Sequence, residues 1–245
     1  MNYERALIEP EDFFSKADFP ARCILTFFRR ELKKLCDEGA LAVLKKNYFI
    51  FSNEPVYIMK DTGQEIAVVS MPIGAPAAAA VLEGMIYGGS SKIMGCGYAG
   101  VLDPEIAKGT LIVADSTFAD EGLSPHYLNN VDMVRQPHPA ALKAMLDHCV
   151  DNNITHRAGG VWTTDAIFRE TAQDVADMRR RGMIAVDMET SALYAVAAFR
   201  ERMMGMYLYA LDNVGQSVWD SRKGEKSLLK ERDVFNAAVA VCRKL

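Results

Sequence analysis

Apolar residues recur along this chain in two alternating rhythms: stretches with helical spacing, and short unbroken runs. In 25–36, Leu25, Phe28, Leu32 and Leu35 share one face, which predicts an amphipathic helix; Arg29, Arg30, Lys33 and Lys34 then form its solvated side. Residues 56–59 and 65–71 read as strands joined by a turn at Asp61-Thr62-Gly63. Pro76 suits the first turn of a helix that 77–85 continue. The apolar runs 92–94 and 110–114 predict buried strands. Helical spacing returns at 139–150, and 159–162 reads as a short strand. A polar helix over 171–181 is stopped by Gly182. A strand at 183–186, a helix at 189–202, a strand at 206–211 and a largely helical tail at 225–245 complete the chain.

Strands alternating with helices predict an α/β fold, with a central mixed sheet flanked by helices in three layers. No linker, repeat or low-complexity stretch interrupts the 245 residues, half of them hydrophobic, so 1–245 is expected to be a single domain. Ligands of such sheets gather at the carboxyl ends of strands.

Two predicted strands end in acids. Residues 183–186 run into Asp187-Met188-Glu189, and 206–211 run into Asp212-Asn213. Each acid has a plain structural reading. Asp187 can cap a helix, Glu189 can favour the positive helix end, and Asp212 can form an Asx-turn towards Gly215. Both ends can also face one crevice. The run Gly95-Cys96-Gly97-Tyr98-Ala99-Gly100 matches G-x-G-x-x-G, but a dinucleotide site needs a helix to follow. Residues 101–109, with Pro104 and Gly109, read instead as a turn. The expectation is a strand-end loop whose amides can hold an anion. Thr163-Thr164-Asp165-Ala166-Ile167-Phe168 follows another strand, with Phe168 available to stack on a flat ligand. Asp120 to Tyr127 forms a polar loop containing His126.

Composition removes several classes of function. The net charge of -4 leaves no basic footprint for nucleic acid. The five cysteines are scattered without a C-x-x-C pair, which fits reduced thiols in the cytoplasm. The first residues lack a targeting pattern, and the most apolar stretch, 72–88, is too interrupted to span a bilayer. No cluster of residues suggests a metal site.

In order and spacing, these segments resemble the nucleoside phosphorylase family, the branch of uridine phosphorylase and the hexameric purine nucleoside phosphorylases. Ala185-Val186-Asp187-Met188-Glu189-Thr190-Ser191-Ala192-Leu193 is similar to its V-E-M-E-x-x-A-L signature, with Asp187 in place of a Glu. Asp120-Glu121-Gly122 through His126-Tyr127 is similar to D-E-G-T-S-x-x-Y. Gly97 to Gly100, ahead of Gly109 to Ala114, is similar to G-T-x-G…G-D-L-V-I-A. Thr164 to Phe168 is similar to S-D-x-F-Y.

The resemblance implies a pentosyltransferase that cleaves the N-glycosidic bond of a nucleoside by phosphorolysis, releasing a base and ribose 1-phosphate. It implies that Glu189 grips the ribose hydroxyls with Asp187 in support, and that Met188 packs on the sugar. Ile167 and Phe168 would lie by the base, and His126 and Tyr127 near the sugar. Asp212 would protonate a purine leaving group. Phosphate would fall to Gly95, Gly97, Tyr98 and Arg22, as co-substrate and without a cofactor. A homo-oligomer (dimer, trimer or hexamer) is expected. The sequence also departs from the pattern. The G-D-P-x-R phosphate loop has only Phe19-Pro20-Ala21-Arg22 as its nearest stretch. The arginine before G-T-x-G falls at Gly95, and the loop threonine at Tyr98. The uracil-binding Q-x-R is replaced after Phe168 by Arg169-Glu170-Thr171. A phosphate-independent nucleosidase and a nucleoside-binding protein without turnover are the alternatives.

Overall fold

The computed structural model describes residues 5–49, 53–59, 63–128 and 133–245. In chain order, its elements begin with α1 (Pro10–Phe13), β1 (Arg22–Thr26), α2 (Arg29–Asp37), β2 (Leu41–Lys45), β3 (Val56–Met59), β4 (Ile66–Ser70) and α3 (Ala75–Tyr87). Next come β5 (Lys92–Val101), β6 (Leu111–Asp120), α4 (Ser124–Tyr127), β7 (Val134–Arg135), α5 (Pro139–Asp151) and β8 (His156–Thr164). After a 3-10 turn at Ile167–Arg169 follow α6 (Ala172–Arg180), β9 (Met183–Asp187), α7 (Thr190–Phe199), β10 (Met203–Asn213) and α8 (Glu231–Lys244).

The strands form one mixed sheet in the order β10-β6-β8-β9-β5-β1-β4-β3-β2, with β7 paired to β6. Because β10 also pairs with β5, the first five strands in that order close on themselves, leaving β1-β4-β3-β2 as an open wing. One face is packed by α3 and α7, through Ala78, Leu82, Met85, Leu193, Tyr194 and Val196. The other is packed by α2, α5 and α8, through Leu32, Leu35, Met145, Cys149, Val234 and Phe235. The result is the expected three-layer α/β arrangement.

Four sequence expectations are corrected here. The helix expected over 25–36 begins only at Arg29; Leu25 lies in β1, paired with Val69 and Gly95. The loop expected at 95–100 is strand throughout, because β5 runs ten residues, to Val101. Its glycines give room to neighbouring side chains: a Cβ on Gly95 would lie 2.2 Å from Met206 Sδ, and one on Gly97 would lie 3.0 Å from the Phe27 ring. Residues 163–164 close β8 rather than opening a loop, and β2 has no counterpart in the sequence reading. Asp61 and Thr62 of the expected turn lie outside the described residues. The helix opened by Pro76 and the polar helix stopped by Gly182 stand as expected, the latter with a reciprocal cap between Thr171 and Asp174.

Candidate active site

The carboxyl ends of β1, β4, β5, β9 and β10 meet around a cleft of about 780 Å³. Glu189 and Asp212 both line it, together with Asp187, Met188, Ile167, Phe168, Gly97 and Tyr98. The two acid-bearing strand ends therefore open onto one hollow. Three polar clusters divide the cleft between them.

The first cluster is built on the turn between β9 and α7. The Asp187 carboxylate accepts from Thr163 Oγ1 at 2.8 Å, from the Thr190 backbone N–H at 2.9 Å, and from the Thr190 hydroxyl. Asp187 thus occupies the free donors at the start of α7, as its capping role requires. Thr163 Oγ1 in turn accepts from the Ser191 N–H at 3.0 Å, tying β8 to the same turn. Burial pushes the Asp187 carboxyl up, and the hydroxyl and amide donors pull it back. Glu189, 7% exposed, is held by backbone donors, Gly74 N–H at 2.6 Å among them. Burial, and then the charge of Asp187, push it up to about 8. Within this pair the charge belongs on Asp187, where the hydroxyls converge, and the proton on Glu189. Gly74 makes its approach with a φ of +99, a conformation that side chains other than hydrogen rarely adopt.

The second cluster surrounds Asp212. The register between β10 and β5 shifts between Ala210 and Asn213, an irregularity of the kind that re-aims side chains beside functional sites. Asp212 Oδ2 accepts from Trp219 Nε1 at 2.6 Å, and a Cβ on Gly100 would lie 3.3 Å from Oδ1. The Asx-type bond to Gly215 is made by Asn213 Oδ1 (2.8 Å), not by Asp212 as the sequence suggested. Glu170, on the residue after the 3-10 turn, also lines the cleft; burial, and then the charge of Asp212, push its carboxyl up to about 7. Beside these acids stand apolar groups that solvent still reaches, with Phe168 95% and Ile167 52% exposed.

The third cluster joins β5, α2 and α8. The Tyr98 hydroxyl donates to Glu231 Oε1 at 2.6 Å, and its ring packs edge-on against Phe28. Burial and the Glu231 carboxylate push the Tyr98 phenol well above its ordinary value, while Arg30 opposes them. Arg29 and Arg30, at the first turn of α2, line the cleft here. The helical spacing alone puts both on a solvated helix face.

Four residues named from the sequence are not brought to the cleft. Arg22 opens β1 at its far end, where Nε donates to the Cys242 carbonyl at 3.1 Å. Gly95 sits mid-strand, its open side taken by Met206. His126 is exposed on α4, and the Tyr127 ring meets Phe199 edge-on at 5.3 Å, its hydroxyl bonded to Glu83. The segment that carries His126 and Tyr127 works through Glu121 instead. That buried carboxylate accepts from Leu123 N–H (2.6 Å), Ser124 N–H (3.0 Å) and Ser191 Oγ (2.9 Å), and so fastens α4 to α7. Among the described residues no group of three or more His, Cys, Asp or Glu is placed to hold a metal ion, and no helix is long and apolar enough to cross a membrane.

The model of the phosphorylase superfamily matches residues 21–245, and the chain belongs to that superfamily. It is 27% identical over 194 residues to a guanosine phosphorylase of Halorubrum lacusprofundi, covering 79% of this chain and 76% of that one. It is 27% identical over 137 residues to a purine nucleoside phosphorylase, DeoD-type, of Clostridium perfringens, covering 56% of this chain and 58% of that one. An uncharacterized protein of Acanthamoeba polyphaga mimivirus is 30% identical over 128 residues, which span 49% of its length. In fold, the chain superposes on the crystal structure of purine nucleoside phosphorylase from Toxoplasma gondii in complex with immucillin-H. The TM-score is 0.81 at 18% identity, over 100% of this chain and 98% of that one.

Proposed function

We propose that the protein cleaves the N-glycosidic bond of a purine nucleoside by phosphorolysis, giving free base and ribose 1-phosphate. The observation that carries this reading is the convergence of Glu189 and Asp212 on one cleft, with Arg29 and Arg30 on the same lining. Loss of a base develops positive charge on the ribose and negative charge on the base. Glu189 accepts from the ribose hydroxyls, and the Asp187 carboxylate behind it favours the sugar cation. Met188 packs on the sugar, while Ile167 and Phe168 flank the base. Asp212 protonates the departing base, a contribution of about 10²–10⁴-fold for a placed general acid. Phosphate is the co-substrate. Arg29 and Arg30, beside Gly97 and Tyr98, take the place the sequence reading gave to Arg22 and Gly95, and guanidinium forks suit a phosphate. No cofactor is required.

The reading has the protein acting in the cytoplasm as a homo-oligomer, which light scattering of the purified chain tests. The reaction is tested by incubating purine nucleosides with and without inorganic phosphate and following free base and ribose 1-phosphate. Strict phosphate dependence with equal yields of both products is expected. Release of free ribose without phosphate, or binding with no release, would overturn it. The purine relatives named above support this choice of base.

A further inference from the structure

The first turns of α2 and α8 are clamped together beside the arginines of the cleft. Arg232, in the first turn of α8, bonds Glu31 in the first turn of α2, and it reaches Glu38 at the end of that helix at 2.9 and 3.0 Å. Arg30 and Glu231 each adjoin one residue of this clamp, and both line the cleft. The start of α2 is seated on β5 as well: Phe27 N–H donates to the Cys96 carbonyl at 2.9 Å, and the Phe28 ring lies 4.8 Å from that of Tyr98. Tyr98 joins the two helix starts, because its hydroxyl donates to Glu231 Oε1 at 2.6 Å.

Charge in this corner is unevenly spent. Arg232 is neutralised by Glu31 and Glu38. Neither Arg29 nor Arg30 is in an ion pair among the described residues. Glu231 keeps its second oxygen, Oε2, without a hydrogen bond among those residues, and Tyr98 has spent its only donor on the first. An anion drawn to the two guanidinium groups therefore meets two kinds of partner. The arginines only donate, and an ionised carboxylate only accepts. An oxygen that carries a hydrogen satisfies Oε2; an oxygen that carries none faces it as a like charge, which discriminates by repulsion.

Inorganic phosphate at neutral pH retains at least one P–OH. Sulfate, also a tetrahedral anion and of nearly the same size, retains no such hydrogen. We propose that Glu231, held by Tyr98, makes the anion site of this cleft selective for phosphate over sulfate, a reading that rests on the phosphate-dependent reaction proposed above. Glu231 Oε2 accepts from the phosphate hydroxyl, while Arg29 and Arg30 hold the charged oxygens. A tyrosine free to donate would welcome either anion. With its donor turned onto Glu231, the same corner offers an acceptor instead.

The test is an equilibrium titration, at neutral pH, of inorganic phosphate and of sulfate into the unaltered protein, Glu231→Gln and Glu231→Ala. Sulfate is also assayed as an inhibitor of phosphate-dependent base release. Phosphate is expected to bind at least about tenfold tighter than sulfate, the share of one hydrogen bond to a charged group. Glu231→Gln keeps the length of the side chain and sets an amide donor where Oε2 was. Sulfate should then gain, and the phosphate-to-sulfate ratio should fall at least about tenfold. Glu231→Ala should lower the ratio too, with a smaller gain for sulfate. Equal affinity for the two anions in the unaltered protein, binding of neither, or a ratio unmoved in both variants overturns the proposal. The two readings fail separately. Selective phosphate binding that depends on Glu231, with no base released, sinks phosphorolysis alone. Phosphate-dependent release that sulfate inhibits with the affinity of phosphate sinks the selectivity alone.

Discussion

Replacing Glu189 by Gln should make the folded protein more stable in alkali and leave it unchanged in acid. The carboxyl is 7% exposed and is pushed from an ordinary 4.5 up to about 8 by burial and by Asp187. The folded chain therefore binds this proton more tightly than the unfolded chain does. Its contribution is fully present below about 4.5 and is lost as the pH rises to about 8. A displacement of that size, at roughly 1.4 kcal/mol per pH unit, is on the order of 5 kcal/mol, and less if water enters the opened cleft. Gln cannot ionise, and its Oε1 can still accept the 2.6 Å bond from the Gly74 N–H. The assay is urea unfolding of both proteins at pH 5.5, 7 and 9, read as the difference between them. Every other titrating group cancels in that difference unless it couples to Glu189. The gain should already be about 1.4 kcal/mol at pH 5.5, one pH unit above the ordinary 4.5, and grow by roughly a further 3 kcal/mol by pH 9. Parallel curves at all three values would refute the reasoning, because they would mean Glu189 titrates like a solvated acid.

Further expectations follow from the same geometry. The affinity ratio of adenosine to 2′-deoxyadenosine should widen up to about tenfold per unit between pH 6 and 8, as the ribose hydroxyls favour ionised Glu189; a flat ratio by calorimetry counts against the ribose grip. Thr190→Val strips a hydroxyl from the buried Asp187 carboxylate and should cost about 1–3 kcal/mol in urea unfolding. Gly95→Ala drives a methyl against the buried Met206 and should cost about 1–3 kcal/mol, without moving the KM for phosphate. Arg30→Ala should raise that KM at least about tenfold and change the nucleoside KM far less, charge-assisted bonds being worth about 1.5–3 kcal/mol.

Much of the layer structure was legible because the helix faces and buried strands have different periods, and Pro76 and Gly182 punctuate them. The first arginines of α2 were not legible for a definite reason. Cys23, Ile24 and Leu25 of β1 run directly into Phe28, at the helix cap, and Leu32 and Leu35 of α2, and the combined spacing imitates one helix. Only the pairing of Leu25 with Val69 and Gly95 separates them. Once separated, Arg29 and Arg30 stand at a helix start by the cleft, not midway along a solvated face. The glycines of β5 misled in the same way. In sequence Gly95 and Gly97 suggest a loop, whereas in a strand they mark places where a neighbour's side chain presses on the backbone. Here that neighbour is Met206, 111 positions further along the chain, with Phe27 on Gly97.

The two readings of Asp187 turn out to describe one device. As a cap, its carboxylate satisfies donors at the start of α7; as part of the site, it holds a charge beside Glu189. The cap makes the site possible. Hydroxyls from Thr163 and Thr190 hold the charge on Asp187, so Glu189, which lacks such donors, keeps its proton and stays available to a ligand. The motif around these acids was visible in the sequence, but this division of labour depends on Thr163 arriving from β8, which no local pattern announces. Asp212 shows the same limit. Its place at a strand end was readable, whereas its company, Trp219 and Glu170, depends on the register shift after Ala210 and on the turn at Ile167–Arg169. Local sequence therefore marks the acids that carry charge, and tertiary register decides which of them hold a proton. For a reaction in which a proton must reach the leaving base, that second decision sets the chemistry.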